Sequence, residues 1–384
     1  METLKIAFVY DAVYPWIKGG AEKRIYEIGR RLAERGHEVH WYGIGWWFNK
    51  NNKKVIDHDG IVLHSVCNPM PLYVNGRRSI KEAIHFGGKL LLSIFDEKFD
   101  VIDCQEFPYF SCFTAKIHSL LRRTPLVVTW YEVWNDYWFE YLGKKGIFGY
   151  LVERMTAKLP KLIIPISKKI KEDLKMLNVP EEIMKVIPNG VDFYRLRSVK
   201  PSNEEFDVIY VGRLISHKNV DVLLKALNIV KKEIKYVRCG IIGDGPEMRN
   251  LRTLSKKLDL DDNVKFFGFI ESDLEVYTYM SSSKIFVLPS TREGFPNTIL
   301  EANSCGLPVI VVGHEKNAGV GVVKNGYNGY VIDLSPEEMA RMIIDLLQNE
   351  EELNRLSKNS VEFARIYDWS VIVSKLLDVY KEVI

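Results

Sequence analysis

The stretch "VIPNGVDFYRLRSVKPSNEEF" (186–206) breaks an otherwise regular chain. It carries Pro188, Asn189, Gly190 and Pro201, and its apolar residues follow no periodicity. Proline and glycine at this density punctuate a chain rather than fill an element, so a domain boundary is expected near residue 195. The same alternation of elements runs on both sides of it. Upstream, "LKIAFVY" (4–10) is a strand-like run, and "EKRIYEIGRRLAERG" (22–36) then places Ile25, Ile28, Gly29, Leu32 and Ala33 at helical spacing before Gly36 caps it. "HEVHWYG", "FDVIDCQ" (99–105), "PLVVTW" (125–130) and "KLIIPIS" (161–167) are further strand candidates. Downstream, the strand "FDVIYVG" (206–212) and the amphipathic helix "NVDVLLKALNIVKKEI" (219–234) open a second series. Strands at "YVRCGIIG", "NVKFFGF", "KIFVLPS", "LPVIVVG" (307–313) and "GYVID" (329–333) continue it, and the chain reads as helical from Ser335 onward.

Near-continuous Val/Ile runs between helices predict parallel sheets covered on both faces. Two successive doubly wound α/β domains, facing across an interdomain cleft, are therefore expected. Ligands of such sheets bind beyond the carboxyl ends of the strands, which gives motifs that follow strands the most weight.

Bulk composition narrows the function classes. The chain has 384 residues, 47% hydrophobic and 27% charged, enough for two globular cores. Its net charge of +3 does not suggest a nucleic-acid partner. Residues 1–195 hold 29 Lys and Arg against 23 Asp and Glu, whereas the remainder holds 24 against 27. That split suits an anionic partner of the first half, or charge scattered over solvated faces. Five cysteines without a C-x-x-C pair argue for reduced thiols and against a disulfide or zinc framework. Strand-like sequence begins at once and no apolar run spans a bilayer, so a cytoplasmic location is expected.

Four motifs carry chemistry. In "YVGRLISHKNV" (210–220), Gly212 permits a turn at the strand end, and Arg213 and Lys218 follow five positions apart. Two cations beside a helix start form a clamp that suits a diphosphate; the alternative is two solvated loop residues. "IIGDGPEM" (241–248) places Gly243 and Gly245 after a strand, either for close approach of a ligand or as a strand-to-helix turn with Pro246 opening the helix. "TREGFPNTILE" (291–301) puts Pro296 in the first turn of a helix, with the amides of Phe295, Asn297 and Thr298 aimed at an anion. Glu293 and Glu301 would bracket that anion, each accepting hydrogen bonds from sugar hydroxyls; a surface glutamate and a helix-start acid are the plain alternative. Gly19 and Gly20 follow the first strand and precede a helix, as a phosphate approach or a flexible turn. Asp11, Asp103 and Glu106 end first-domain strands. His37 and His40 read as structural, and the histidines form no metal constellation.

In order and spacing together, these motifs resemble the retaining glycosyltransferases of the GT-B fold, in particular glycosyltransferase family 4, the glycosyl transferases group 1 type. The resemblance covers essentially the whole chain. It rests on Gly19, Gly20, Ala21 and Glu22, on "PISKKIKEDL" (165–174), "VIPNGVD" (186–192), "VGRL" with Lys218 and "GDGP" (243–246), and on "EGFPNTILE" (293–301), the family's E-x7-E motif. The last helix, about 367–384, resembles the one that returns to the first domain in this family.

The resemblance implies a hexosyltransferase-type enzyme moving a sugar from a nucleotide-diphosphate donor to an acceptor hydroxyl, with retention of configuration. Residues 1–195 would take the acceptor and 196–366 the donor. Arg213 and Lys218 would contact the diphosphate and Glu301 the ribose. Glu293 and the amides after Gly294 would hold the sugar and β-phosphate, with the base near Gly268, Phe269 and Ile270. Gly19 and Gly20 would approach from the first domain. The resemblance implies no cofactor and no metal. One position departs from the family: Tyr131 stands where a donor-contacting histidine is expected. Transfer with an altered sugar preference is the first expectation, and a catalytically weak or inactive nucleotide-sugar-binding protein is the alternative. A dinucleotide oxidoreductase is disfavoured for want of a G-x-G-x-x-G after a strand. The acceptor, a sugar or a lipid-linked molecule, is not specified. Aromatic and basic stretches at 129–150 and 45–54 suggest peripheral contact with a membrane.

Overall fold

The computed structural model describes residues 3–48, 54–74 and 77–384. The chain divides into two compact units, Met1–Pro188 with Ser370–Ile384, and Asn189–Trp369. Of the stretch 45–54, residues 49–53 lie outside the described residues.

The first unit is built on β1 (Lys5–Val9), β2 (Glu38–Ile44), β3 (Val55–His58), β4 (Ile61–Cys67), β5 (Tyr73–Val74), β6 (Arg77–Arg78), β7 (Val101–Gln105), β8 (Leu126–Trp130) and β9 (Leu162–Pro165). Seven of these form one sheet in the order β3-β4-β2-β1-β7-β8-β9; β5 and β6 pair separately. All neighbours in the large sheet are parallel except β3 and β4. The central strands β1, β7 and β8 are almost wholly buried, which explains their unbroken apolar runs. Helix Gly20–Glu34 instead shows an apolar stripe, with Ile25, Ile28 and Leu32 buried. The final residues belong to this unit. Tyr380 donates to Asp103 Oδ2 at 2.6 Å, and the Lys161 ammonium reaches the Val383 carbonyl at 2.5 Å.

The second unit holds β10 (Phe206–Val211), β11 (Cys239–Ile242), β12 (Val264–Gly268), β13 (Ser283–Leu288), β14 (Val309–Val312) and β15 (Gly329–Ile332). They form a parallel sheet in the order β12-β11-β10-β13-β14-β15. Val191, Phe193 and Leu196 pack into this unit's core. The Val191 amide bonds the Tyr367 carbonyl at 2.9 Å, so the chain enters the second unit at Asn189 rather than near residue 195.

Each unit is thus a doubly wound, Rossmann-like α/β layer. The long helical tail is three helices, Pro336–Gln348, Glu350–Arg365 and Trp369–Val383. Ser335 and Asn349 cap the first two through their side chains.

Candidate functional site

In the second sheet the chain passes from β10 outward through β11 and β12, then returns to the other side of β10 as β13. A reversal of strand order opens a crevice beyond the carboxyl ends of the two strands it separates, and doubly wound sheets use this crevice for ligands. A pocket lies there. Its lining combines Gly212 and Arg213 after β10, Gly243 and Asp244 after β11, and Phe269 and Ile270 after β12. Thr298 and Glu301 of helix Asn297–Ser304 and Tyr277 of helix Asp273–Ser281 complete it. Five stretches meet at one end of the sheet because all its strands are parallel.

The backbone around Arg213 is fixed while its side chain is exposed. The Gly212 amide bonds the Ile242 carbonyl at 3.0 Å, and the Tyr210 hydroxyl donates to the Arg213 carbonyl at 3.0 Å. A Cβ on Gly212 would lie 2.9 Å from that hydroxyl. Glycine is also required at 243, where φ is +134° and a Cβ would run into the Gly212 carbonyl oxygen. A Cβ on Gly245 would meet the Leu214 carbonyl in the same way, and the Leu214 amide bonds Asp244 O at 2.9 Å. The two glycines therefore serve close approach of one loop to another, not primarily of a ligand to the loop. Pro246 does not open the following helix, which begins at Met248; Pro246 and Glu247 form a turn before it. Gly268 has φ of +78° and open space where a Cβ would stand, so it turns the chain out of β12 toward the exposed Phe269.

The loop between β13 and helix Asn297–Ser304 is held from both sides. Asn219, in the left-handed conformation at φ 49°, donates to the His217 and Pro289 carbonyls, each at 3.1 Å. The Thr291 amide bonds His217 O at 3.0 Å. On the far side, Asn317 donates to Ser290 O at 2.9 Å and Val312 O at 2.8 Å, and the Glu293 amide bonds Lys316 O at 3.0 Å. Gly294 and Phe295 follow, both half-buried. Pro296 is the N-cap residue rather than the first helical one, and no side chain caps the helix. Its free first-turn amides and dipole favour an anion. Burial and the neighbouring Lys218 charge hold His217 below its ordinary range, which keeps the ring neutral near pH 7.

Two details escape sequence reasoning. Lys218 does not stand free beside Arg213: its ammonium forms an ion pair with the Glu293 carboxylate, and both side chains are largely covered. The second cation of the expected clamp is thus held, in the ligand-free structure, by one of the two glutamates expected to bracket the anion. Tyr277, 24 positions from its partner, donates to Glu301 Oε1 at 3.2 Å and fixes the carboxylate at the pocket wall. In the sequence this segment is visible only as a stretch between two strands.

Gly19, Gly20 and Tyr131 belong to the first unit. Gly20 opens helix Gly20–Glu34 with open space at its Cβ position, while a Cβ on Gly19 would strike the Glu22 carboxylate. Tyr131 is half-buried after β8; its hydroxyl donates to Gln105 Oε1 at 2.6 Å and its amide bonds Glu106 Oε1 at 3.0 Å. Burial lifts its phenol well above the ordinary range, so it stays neutral. Asp103, within β7, is saturated by Tyr380, Thr129 and Gln105. Asp11 is buried in an ion pair with Arg78.

His40, His64 and Glu97 offer ligand atoms within 4.8 Å of one another, a grouping that the sequence hid because the histidines lie on separate strands. The Lys5 ammonium already occupies Glu97 at 2.5 Å and Glu38 at 2.8 Å, and the two rings bond each other at 2.8 Å. In the aromatic stretch 129–150, Trp130 and Trp138 are buried and Trp134 packs on Trp138 at 4.6 Å between ring centroids, while Phe139 and Phe148 are exposed. Glu153 collects their polar atoms, accepting from the Trp134 amide at 2.7 Å and Trp138 Nε1 at 3.2 Å.

Two Rossmann-like units, one with a pocket at its strand reversal, define a doubly wound α/β protein. Comparison with known proteins narrows the class. Residues 18–195 match the model of Glycosyltransferase Family 4 and residues 194–363 that of Glycosyl transferases group 1. An uncharacterized glycosyltransferase of Haemophilus influenzae is 26% identical over 341 residues, 87% of this chain and 88% of that protein. N-acetyl-alpha-D-glucosaminyl L-malate synthase of Bacillus anthracis is 24% identical over 388 residues, covering 97% and 96%. Among solved structures, Anabaena Alr3699/HepE in complex with UDP superposes with a TM-score of 0.76 at 20% identity, covering 99% of this chain and 100% of that one. The chain belongs to the GT-B glycosyltransferases of family 4.

Proposed function

We propose that this glycosyltransferase takes a nucleoside diphosphate sugar as donor, binds it in the second unit, and transfers the sugar to an acceptor hydroxyl with retention of configuration. The observation that carries this reading is the pocket at the strand reversal. It joins an exposed arginine, an uncapped helix start and a carboxylate oriented by Tyr277. Arg213 and the first-turn amides face the diphosphate, Glu301 accepts hydrogen bonds from the ribose, and the base lies along Phe269 and Ile270. Anion binding competes for Lys218, which swings from Glu293 to phosphate and frees Glu293 for the sugar.

Cleavage of the anomeric C–O bond leaves negative charge on the diphosphate. Cations and amides already oriented toward that charge lower the barrier. The departing phosphate oxygen takes the acceptor's proton as the acceptor oxygen bonds to the anomeric carbon on the same face. Positive side chains supply the neutralisation, so turnover is expected to persist in EDTA.

UDP-sugars are the donors to test first, given the UDP bound by Anabaena HepE. The test measures nucleotide release from a donor panel with candidate acceptors and the anomeric configuration of the product by NMR. Release with a retained product is expected. Arg213→Ala should weaken nucleoside diphosphate binding about 10–100-fold, the worth of a charge-assisted hydrogen bond to phosphate. An inverted product would overturn the mechanism. Unchanged diphosphate affinity in Arg213→Ala would overturn the site.

A further inference from the structure

We infer that the outer faces of three neighbouring helices in the first unit form a docking surface for an anionic lipid bilayer, independently of the donor pocket. The helices are Ile80–Ile94, Tyr109–Arg122 and Gly146–Thr156. They pack side by side. The Thr114 hydroxyl donates to the Gly87 carbonyl at 2.7 Å across the first pair, and Tyr109 donates to Glu153 at 3.2 Å across the second. Each helix turns one apolar face inward and carries a second apolar stripe outward.

On the first helix the outward stripe is Ile80, Ile84, Leu91 and Leu92, at helical spacing, with Leu92 72% exposed. On the second it is Ile117, Leu120 and Leu121, the last 69% exposed. On the third it is Ile147, Phe148, Leu151 and Met155, with Phe148 71% exposed. Eleven of the 25 exposed large apolar side chains of the described residues therefore fall on three helices that hold 40 of the 384 residues. Scatter does not concentrate them so; contiguous exposed apolar surface marks an interaction face.

Charge decides the partner. Lys81 and Lys89 flank the first stripe, Arg122 and Arg123 end the second, and Lys144 and Lys145 precede the third. The acids within the three helices, Glu82 and Glu153, are buried, and against these six cations the exposed acid nearest a helix end is Asp96, two residues past the first helix. A face of exposed Leu, Ile and Phe beside cations, with no exposed acid among its residues, fits the headgroup region of an anionic membrane, where apolar side chains enter the acyl boundary and Lys and Arg meet phosphates. A second copy of the chain would bring like charge against like charge. No helix among the described residues is long and apolar enough to cross the bilayer, so the contact is peripheral.

The test is co-sedimentation of the full chain with vesicles of phosphatidylglycerol and phosphatidylcholine in equal parts, and with phosphatidylcholine alone. Binding to the anionic vesicles is expected, at least tenfold above the neutral ones, weakening with added salt. The triple variant Leu92→Glu, Leu121→Glu, Phe148→Glu removes only exposed groups; it should keep the parent's melting temperature and nucleoside diphosphate affinity while losing vesicle binding at least tenfold. No partition of the parent, or equal partition of parent and variant, would overturn the inference. So would a parent dimer in sedimentation velocity that the variant converts to monomer, since a second copy would then cover the face.

Discussion

At the scale of single residues, the proposed donor pocket rests on side chains whose partners are far apart in sequence. Arg213, Thr298 and Glu301 were legible because each follows a strand or opens a helix, the positions where parallel sheets collect ligands. Tyr277 was not, because it lies in the middle of a helix, away from any strand end. The Lys218–Glu293 pair was equally hidden, since only the fold brings residues 75 positions apart into contact. Tyr277 supplies a sharp test of the ribose assignment. Its hydroxyl orients Glu301, so Tyr277→Phe is expected to weaken nucleoside diphosphate binding about 2–10-fold, the net worth of one ordinary hydrogen bond. Calorimetric titration with the ribonucleotide and with its 2′,3′-dideoxy analogue separates the causes. The loss should appear with the first and be small with the second. Equal loss with both would mean that Tyr277 shapes the pocket without acting through the sugar hydroxyls.

At the scale of elements, the alternation of buried strands and amphipathic helices was readable almost throughout, because a strand covered on both faces must be apolar along its length. The antiparallel β3 and its partner β4 were missed: their burial alternates, and β3 lies at the sheet edge. The start of the second unit was placed a few residues late, since "NGVDF" looks like a linker but contributes Val191 and Phe193 to a core. The G-D-G-P turn shows why a motif's residues and its purpose are separate questions. Its first glycine is forced by the carbonyl of Gly212 and by a positive φ, whatever binds nearby. Gly243→Ala should therefore destabilise the second unit by about 2–3 kcal/mol, combining overpacking with a disfavoured backbone conformation. Urea denaturation followed by circular dichroism measures this. A change within ±0.5 kcal/mol would show that the two loops part easily. A Gly20→Ala control, with open space at its Cβ position, should stay near the parent.

At the scale of the whole molecule, the two units differ in how they hold ionisable groups, and this difference governs the response to pH. In the first unit, burial raises six carboxyls: Asp11, Glu22, Glu82, Asp103, Glu106 and Glu153. Glu82, beside the Asp11 carboxylate, is pushed up to about 8. A group whose folded value exceeds its unfolded value keeps its proton longer in the folded state. The stability it confers is complete below the ordinary carboxylate range and is lost as pH rises through the folded value. For Glu82 that window runs from its ordinary value of 4.5 to about 8. Burial drives His64 the other way, to about 4, so its contribution is lost as pH falls from 6.5 through that value. Glu38 and Glu97, held low by Lys5, add a loss on the acid side that solvent screens. The shifted carboxyls of the second unit, Glu337 and Glu352, are lowered and lie at the surface. The first unit should thus be most stable in mild acid and weaken toward pH 8, while the second changes little. Seven of the eight tryptophans lie between residues 16 and 138, so intrinsic fluorescence reports the first unit. Urea midpoints read this way should fall from pH 5.5 to pH 8. Glu82→Gln, which mimics the protonated acid, should leave the midpoint near the parent's at pH 5.5 and raise stability at pH 8 by about 1 kcal/mol or more, since each unit of retained pKa shift is worth about 1.4 kcal/mol. A midpoint lowered equally at both pH values would show that Glu82 works ionised in the folded chain, as a partner of Arg78, and that the alkaline loss originates elsewhere.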